Sequence, residues 1–280
     1  MFDVFHHAFM QRALLSSILA VIPLSLLGVL LVPRGQSLLG AGLSQVAFFG
    51  VSLGLWMGVS PTGSALAVTS AAAGLVEWGR IRGILLADAA TAVLFCGGLA
   101  FGTVFLSGGH GLQADVLSYL FGSAITISWR QVWQLAGVSA VIVSSIVLLR
   151  PSLIHLIFDE DSAKARGLRV LPLNLCLTGA SAVLLVMTIQ SVGLLLSSTL
   201  LVFPALAALR VAPSYRHAFW VAPAIGGASI VLGFWLALWA DLSLGGALAA
   251  SSVLVSGLVV AVGSLWGLFR TNPSSHASQQ

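Results

Sequence analysis

Apolar residues along this chain come in long blocks, and charged residues fall between the blocks rather than within them. Between Arg12 and Arg34 lie 21 uncharged residues, and between Arg34 and Glu77 lie 42. A further 40 separate Arg169 from Arg210, 24 separate Arg216 from Asp241, and 28 separate Asp241 from Arg270. About 20 apolar residues carry a helix across the hydrocarbon core, so the shorter blocks fit one span and the longer ones two. Ser60-Pro61-Thr62-Gly63 divides the first long block and Gln190-Ser191 the second. The pattern predicts spans at about 13–33, 38–58, 62–78, 83–107, 131–150, 171–189, 193–210, 218–240 and 244–269. The blocks lack strict apolar/polar alternation, which argues against a barrel. The expected fold is all-α: a polytopic membrane protein of about nine transmembrane helices.

The segment 117–127 is apolar but only about 11 residues long, too short to cross, and reads as re-entrant or interfacial. If it does not cross, one side receives Arg34, Arg80, Arg82, Arg150, Lys164, Arg166, Arg169, Arg210, Arg216 and Arg270. The other side receives only Arg12 and Arg130. Cytoplasmic loops carry the excess of Lys and Arg, so this bias puts the N-terminus outside and the C-terminus in the cytoplasm. Counting 117–127 as a crossing inverts every later helix and spoils the asymmetry. Residues 1–11 lack the basic start of a signal peptide, and no cleavage is expected. The polar tail 271–280 is expected to be disordered, leaving residues 1–270 as a single transmembrane domain.

Composition narrows the function classes. Charged residues are 7% of the chain and hydrophobic ones 58%, against about 25% charged in a soluble domain. That excludes a water-soluble enzyme, a nucleic-acid binder and a disordered chain. Gly50-Val51-Ser52-Leu53-Gly54 and Gly97-Gly98-Leu99-Ala100-Phe101-Gly102 are expected to let helices approach closely. Cys96 and Cys176 fall inside predicted spans and are expected as small core hydrophobes. No Walker-type G-x-x-x-x-G-K-[ST] occurs, so an ATPase driving this protein would be another polypeptide.

The largest polar interruption is 155–169, with six of the twenty charges inside 159–169. Asp159, Glu160 and Asp161 lie at its start and Lys164, Arg166 and Arg169 toward its end, which suits a helix dipole. Asp161 can cap a short helix, and Gly167 supplies a stop. A short amphiphilic helix on the cytoplasmic face is expected, either a solvated connector or a docking helix for a soluble partner.

This loop resembles the coupling helix of importer-type ABC permeases, with an acidic start, a central alanine (Ala163) and an Arg166-Gly167 end. Residues 38–54, the Tyr119-Leu120-Phe121-Gly122 segment, and residues 192–205 ending in Pro204-Ala205 are similar to segments of the ABC permeases that import zinc, manganese and iron. Asp241-Leu242 with Gly245 resembles that family's last outer loop. The matches follow the family's order over roughly residues 10–268. The resemblance implies a homodimer in the bacterial inner membrane, with a pathway at or near its centre. It also implies ABC ATPase subunits docked from the cytoplasm on Asp159, Asp161, Ala163, Arg166 and Gly167, and a substrate-binding protein outside. No cofactor bound by this chain is implied: a divalent metal would be cargo, and ATP would belong to the partner subunit.

Members of that family commonly carry Gly-Asp-x-Leu-x-His in the second span. Its Asp and His sit four residues apart on one helical face, and both ligate Zn²⁺ or Mn²⁺ well. The corresponding residues here are Ala41 and Gln45. Gln45 is expected either to hydrogen-bond between helices or to line the path. The other candidate pathway residues are Ser44, Asp88 about five residues into the fourth span, Cys96 two turns beyond it, and Ser198. No His-x-x-x-His, Cys-x-x-Cys or carboxylate cluster lies in a span, so the sequence assembles no metal site. Two alternatives stand: the same permease architecture moving a metal chelate or small organic solute, and a secondary transporter, for which Asp88 is the only support.

Overall fold

The computed structural model describes residues 8–84, 87–108, 127–158, 170–240 and 242–270. The expected re-entrant segment, the coupling residues Asp159, Asp161, Ala163, Arg166 and Gly167, and the tail 271–280 lie outside the described residues. Within them every regular element is helical. Helix α1 is Ala8–Leu31, closed by a 3₁₀ turn Val32–Arg34; α2 is Leu39–Met57, α3 Pro61–Ile81 and α4 Ala87–Ser107. Helix α5 is Trp129–Phe158, α6 Val170–Val192, α7 Leu194–Val211, α8 Tyr215–Trp239 and α9 Leu244–Arg270. All nine stand where spans are expected, and eight are long and apolar enough to cross a bilayer. The exception is α3, diluted by Thr62, Gly63, Ser64, Thr69, Ser70, Gly74, Glu77 and Arg80.

Two boundaries differ from expectation. Helix α5 runs through Pro151 to Phe158, so 155–158 belongs to it rather than to the loop. Leu153 and Leu156 are buried three residues apart, and this continued apolar stripe holds the last turns in place. The break between α6 and α7 falls at Gly193, not at Gln190-Ser191. Gly193 has φ 95° and ψ 160°, a region essentially open only to glycine, so the chain leaves one helix and enters the next through a single residue.

Contacts between helix ends show which of the described ends share a side. Arg34 donates to Asn174 at 2.7 Å, bringing the end of α1 to the start of α6. Tyr215 donates to the carbonyl of Val29 at 2.8 Å, and Arg150 to that of Arg216 at 3.3 Å. The ends of α1 and α5 therefore meet the start of α8. At the opposite end, Arg12 donates to the carbonyl of Ile127 at 3.1 Å and lies over the ring of Trp129. The end of α4 belongs there too, since Phe105 packs edge-on to Trp56 at the end of α2. Helix α4 thus ends, and α5 begins, on one side, as the charge asymmetry demands. Exposed tryptophans mark both rims: Trp56, Trp129, Trp133, Trp235 and Trp239 on one, Trp78 and Trp220 on the other. Amphipathic rings concentrate at membrane–water boundaries.

Helix α1 is the axis of the larger group, packing on α5, α6, α7 and α8. Its tightest crossing is at Gly28, where an added Cβ would meet the carbonyl oxygen of Leu201 at 1.8 Å. Helices α2, α3 and α4 form a second group, in which α4 packs chiefly on α2. Many buried hydroxyls bond within their own helices, as Ser17 does to Ala13 and Ser181 to Leu177 at 2.8 Å each, while Ser139 and Ser251 reach carbonyls of a neighbouring helix. In an apolar medium an unbonded hydroxyl is costly, and the carbonyl one turn back is the nearest acceptor.

Candidate functional site

The candidate pathway residues divide between the core and one open surface. Ser44 is fully buried and donates to the carbonyl of Gly40 at 2.8 Å, so its hydroxyl is committed to α2 itself. Gln45, one residue on, is half-buried, and its Oε1 has no hydrogen-bond partner among the described residues. That oxygen makes no interhelical bond among the described residues. Ser198 is half-buried on α7 and donates to the carbonyls of Leu194 and Leu195 at 3.2 and 3.0 Å. Helix α7 meets α2 nearby, at Gly40 and Leu201.

Gln45 faces α4 at close range. An added Cβ on Gly98 would lie 2.6 Å from the carbonyl carbon of Gln45, so the two backbones touch two residues past Cys96. The glycine-rich segments do the packing expected of them here: Gly50 abuts Ala65 of α3, and Gly102 abuts Phe48. Phe49 adds ring contacts to Phe101 and Phe105, each with centroids 5.7 Å apart.

Only 28% of the apolar stretch of α4 is buried within the chain. Its open side includes Ala92, Cys96, Leu99, Thr103 and Ser107. At 3.6 residues per turn these positions, with Asp88 in register before them, span an arc of roughly 100°. Asp88 lies in the first turn of α4, and its side chain lies outside the described residues. Cys96 and Cys176 are both exposed on this chain, a correction to their expected place in the core. The spans were placed rightly, but which face of a span turns inward depends on neighbours that a uniformly apolar helix does not specify.

An open groove of about 680 Å³ lies elsewhere, between α5 and α6 over Leu27. Trp133, Val138, Val141, Ile142 and Leu149 make it apolar, which suits hydrocarbon and offers a hydrated cation nothing. No group of three His, Cys, Asp or Glu side chains able to hold a metal occurs among the described residues.

A polar cluster that the sequence reading passed over sits where α1, α3 and α6 converge. Glu77 is fully buried on α3, its Oε1 2.7 Å from Arg80 Nη2 and 4.0 Å from Arg34 Nη2. Gln36 donates to its other oxygen at 3.4 Å. In the sequence Glu77 looks like the charge that ends a block. The signal that it is internal is its place on the stripe Ala65, Thr69, Ala73, Glu77, four residues apart and buried throughout.

Comparison with known proteins agrees with this arrangement. The model of the ABC 3 transport family matches residues 6–263. The manganese import system permease protein ScaB of Streptococcus parasanguinis is 27% identical over 88% of each chain. A Haemophilus influenzae protein named "Probable iron transport system membrane protein" is 30% identical over 85% of this chain and 87% of its own. Among solved structures, a chain of PsaBC from Streptococcus pneumoniae in complex with Fab superposes with TM-score 0.79 at 25% identity, covering 94% of this chain and 95% of that one. With helices in this order and a family match along nearly its whole length, this chain is a multi-pass membrane protein belonging to the ABC 3 transport family.

Proposed function

We propose that this protein is the membrane-spanning subunit of a binding-protein-dependent ABC importer for a divalent metal, manganese, iron or zinc, in a bacterial inner membrane. The observation that carries the reading is the family match along residues 6–263, in a chain whose relatives are named for manganese and iron transport and whose α4 presents an open face. That face carries Cys96, Thr103 and Ser107 among the exposed apolar Val93, Phe95, Leu99, Phe101 and Val104, and a second copy of the chain would cover it. Two such faces opposed across a dimer axis would enclose a path between them. Of the candidate residues, Cys96 stands on that open face, Gln45 packs against the opposite side of α4 at Gly98, and Ser198 stands on α7. Weak, oxygen-rich contacts suit a conduit, since a cargo held tightly does not leave.

The ten-against-two charge asymmetry supports a cytoplasmic location for the Arg34–Glu77 end, an outer N-terminus and an inner C-terminus. The loop 159–169, with Asp159, Asp161, Ala163, Arg166 and Gly167, then reaches ATPase subunits that supply ATP hydrolysis, and the Trp56–Trp239 rim faces the substrate-binding protein. Ala41 and Gln45, where the family commonly has Asp and His, favour a second reading in which the same machine moves a metal chelate. The pocket chemistry of the cognate binding protein separates the two: carboxylate and imidazole ligands for a bare ion, aromatic and amide groups for a chelate.

Reconstitution tests the main reading. Vesicles holding this chain, its ATPase and the metal-loaded binding protein are expected to accumulate Mn²⁺ only with ATP. Accumulation by this chain alone, without ATPase or nucleotide, sinks the proposal.

A further inference from the structure

The rim where α5 ends and α8 begins carries guanidinium groups that no described carboxylate balances. Arg150 Nη2 donates to the carbonyl of Arg216 at 3.3 Å, and its guanidinium lies 4.7 Å over the ring of Phe219. One bond and one ring face occupy only part of a group with five N–H donors. Arg216 is exposed at the start of α8, and its side chain makes no bond among the described residues. Arg210, at the end of α7, is exposed as well. No carboxylate lies within ion-pair distance of Arg150 or Arg216 among the described residues.

The surroundings of the two guanidiniums change from polar to apolar along the membrane normal. Val147 stands one turn before Arg150 on the same side of α5, and Trp220 one turn after Arg216 on the same side of α8. They are 63% and 77% exposed. Helix α5 runs toward this rim and α8 runs away from it, so each apolar side chain lies deeper in the bilayer than the charge it accompanies. A free anion in water would use the charges and leave the apolar steps bare. A phospholipid matches both parts: its phosphate oxygens suit the planar fork of arginine, and its chains suit Val147 and Trp220. Helices α5 and α8 each pack on α1 and hardly on one another, so a headgroup held by both arginines braces a seam the helices leave thin.

We propose that Arg150 and Arg216 bind the headgroup of an anionic phospholipid, whose acyl chains lie against Val147 and Trp220. The site requires only that this chain spans a membrane. Its assignment to the inner leaflet, where anionic headgroups meet cytoplasmic basic residues, rests on the sidedness proposed above.

The test uses the full-length chain purified in a nonionic detergent, with phosphatidylglycerol or phosphatidylcholine of matched chains added. Native mass spectrometry counts the lipid retained, and the melting temperature is read alongside. Wild type is expected to retain roughly tenfold more of the anionic lipid, and to melt roughly 2–4 °C higher with it than with phosphatidylcholine. Arg150→Gln combined with Arg216→Gln is expected to lose both differences, whereas Arg82→Gln, on the other helical group, keeps them. Arg216→Gln alone breaks no described side-chain bond, and a fall of roughly threefold in its preference decides the matter if the double variant cannot be purified. Equal retention of the two lipids by wild type overturns the proposal, as does a preference that survives in the double variant. Displacement of the bound lipid by millimolar inorganic phosphate also overturns it, by marking a site for a free anion. A double variant that keeps its lipid preference but no longer co-purifies with the ATPase reassigns the patch to a protein contact. None of these readouts involves metal transport, so failure of the importer reading leaves them intact.

Discussion

Single residues set the closest approaches in this bundle, and two glycines make the clearest cases. Gly98 leaves no room for a side chain against the backbone of Gln45 and Val46. Gly98→Val is expected to destabilise the α2–α4 contact by about 1–3 kcal/mol, the usual cost of overpacking, read as a lower melting temperature and poorer recovery of monodisperse protein. Gly97, with open space around it, is the control, and Gly97→Ala is expected to leave both unchanged. Gly193 is different, because its constraint is conformational rather than steric. At φ 95° an L side chain is strained, and Gly193→Ala is expected to cost on the order of 1–3 kcal/mol. The same melting experiment checks it. The doublet Gly97-Gly98 is visible in the sequence, but nothing there says which member is pressed against a neighbour.

At the scale of elements, the helices differ in how much of themselves they bury. About 72% of the apolar stretch of α1 lies inside the bundle, against 28% for α4. Both read as apolar blocks in the sequence, since lipid and a protein core select similar side chains. Helix α3 shows the reverse: it falls short of a span's hydropathy, is marked in the sequence by the turn at 60–63 and the charges Glu77 and Arg80, and packs its buried stripe on α2 and α6. Loop 159–169 is the element proposed to join this protein to an ATPase. Charge reversal at Asp159 and Asp161, or Gly167→Pro, is expected to abolish co-purification of the ATPase while leaving the melting temperature of the isolated permease unchanged. Co-purification that survives both changes removes loop 159–169 as the docking site.

At the scale of the whole molecule, two helical groups meet along the α3–α6 seam, bonded at one end by Gln190 to Thr62 and at the other by the Glu77 cluster. In the proposed transporter, access to a path beside α4 depends on how the groups sit relative to one another, and cargo choice on what lines the gap. Restoring the family's ligand pair with Ala41→Asp and Gln45→His is expected to raise Mn²⁺ uptake by the reconstituted complex, or to slow release by binding more tightly. Either change identifies the α2 face as part of the metal path. Uptake unaffected by the double substitution points instead to another cargo or another route.

The membrane class, and the order of the helices among the described residues, were legible in the linear chain. Each follows from the free energy of placing a group in water or hydrocarbon, and that is a property of the residue and its near neighbours along the chain. The cluster of Arg34, Gln36, Glu77 and Asn174 was not legible, nor were the exposed cysteines or the committed hydroxyl of Ser44. Those depend on which helix faces which across as many as 140 positions of sequence. A buried carboxylate is tolerated only where other helices deliver its partners, and only the tertiary structure records that they do.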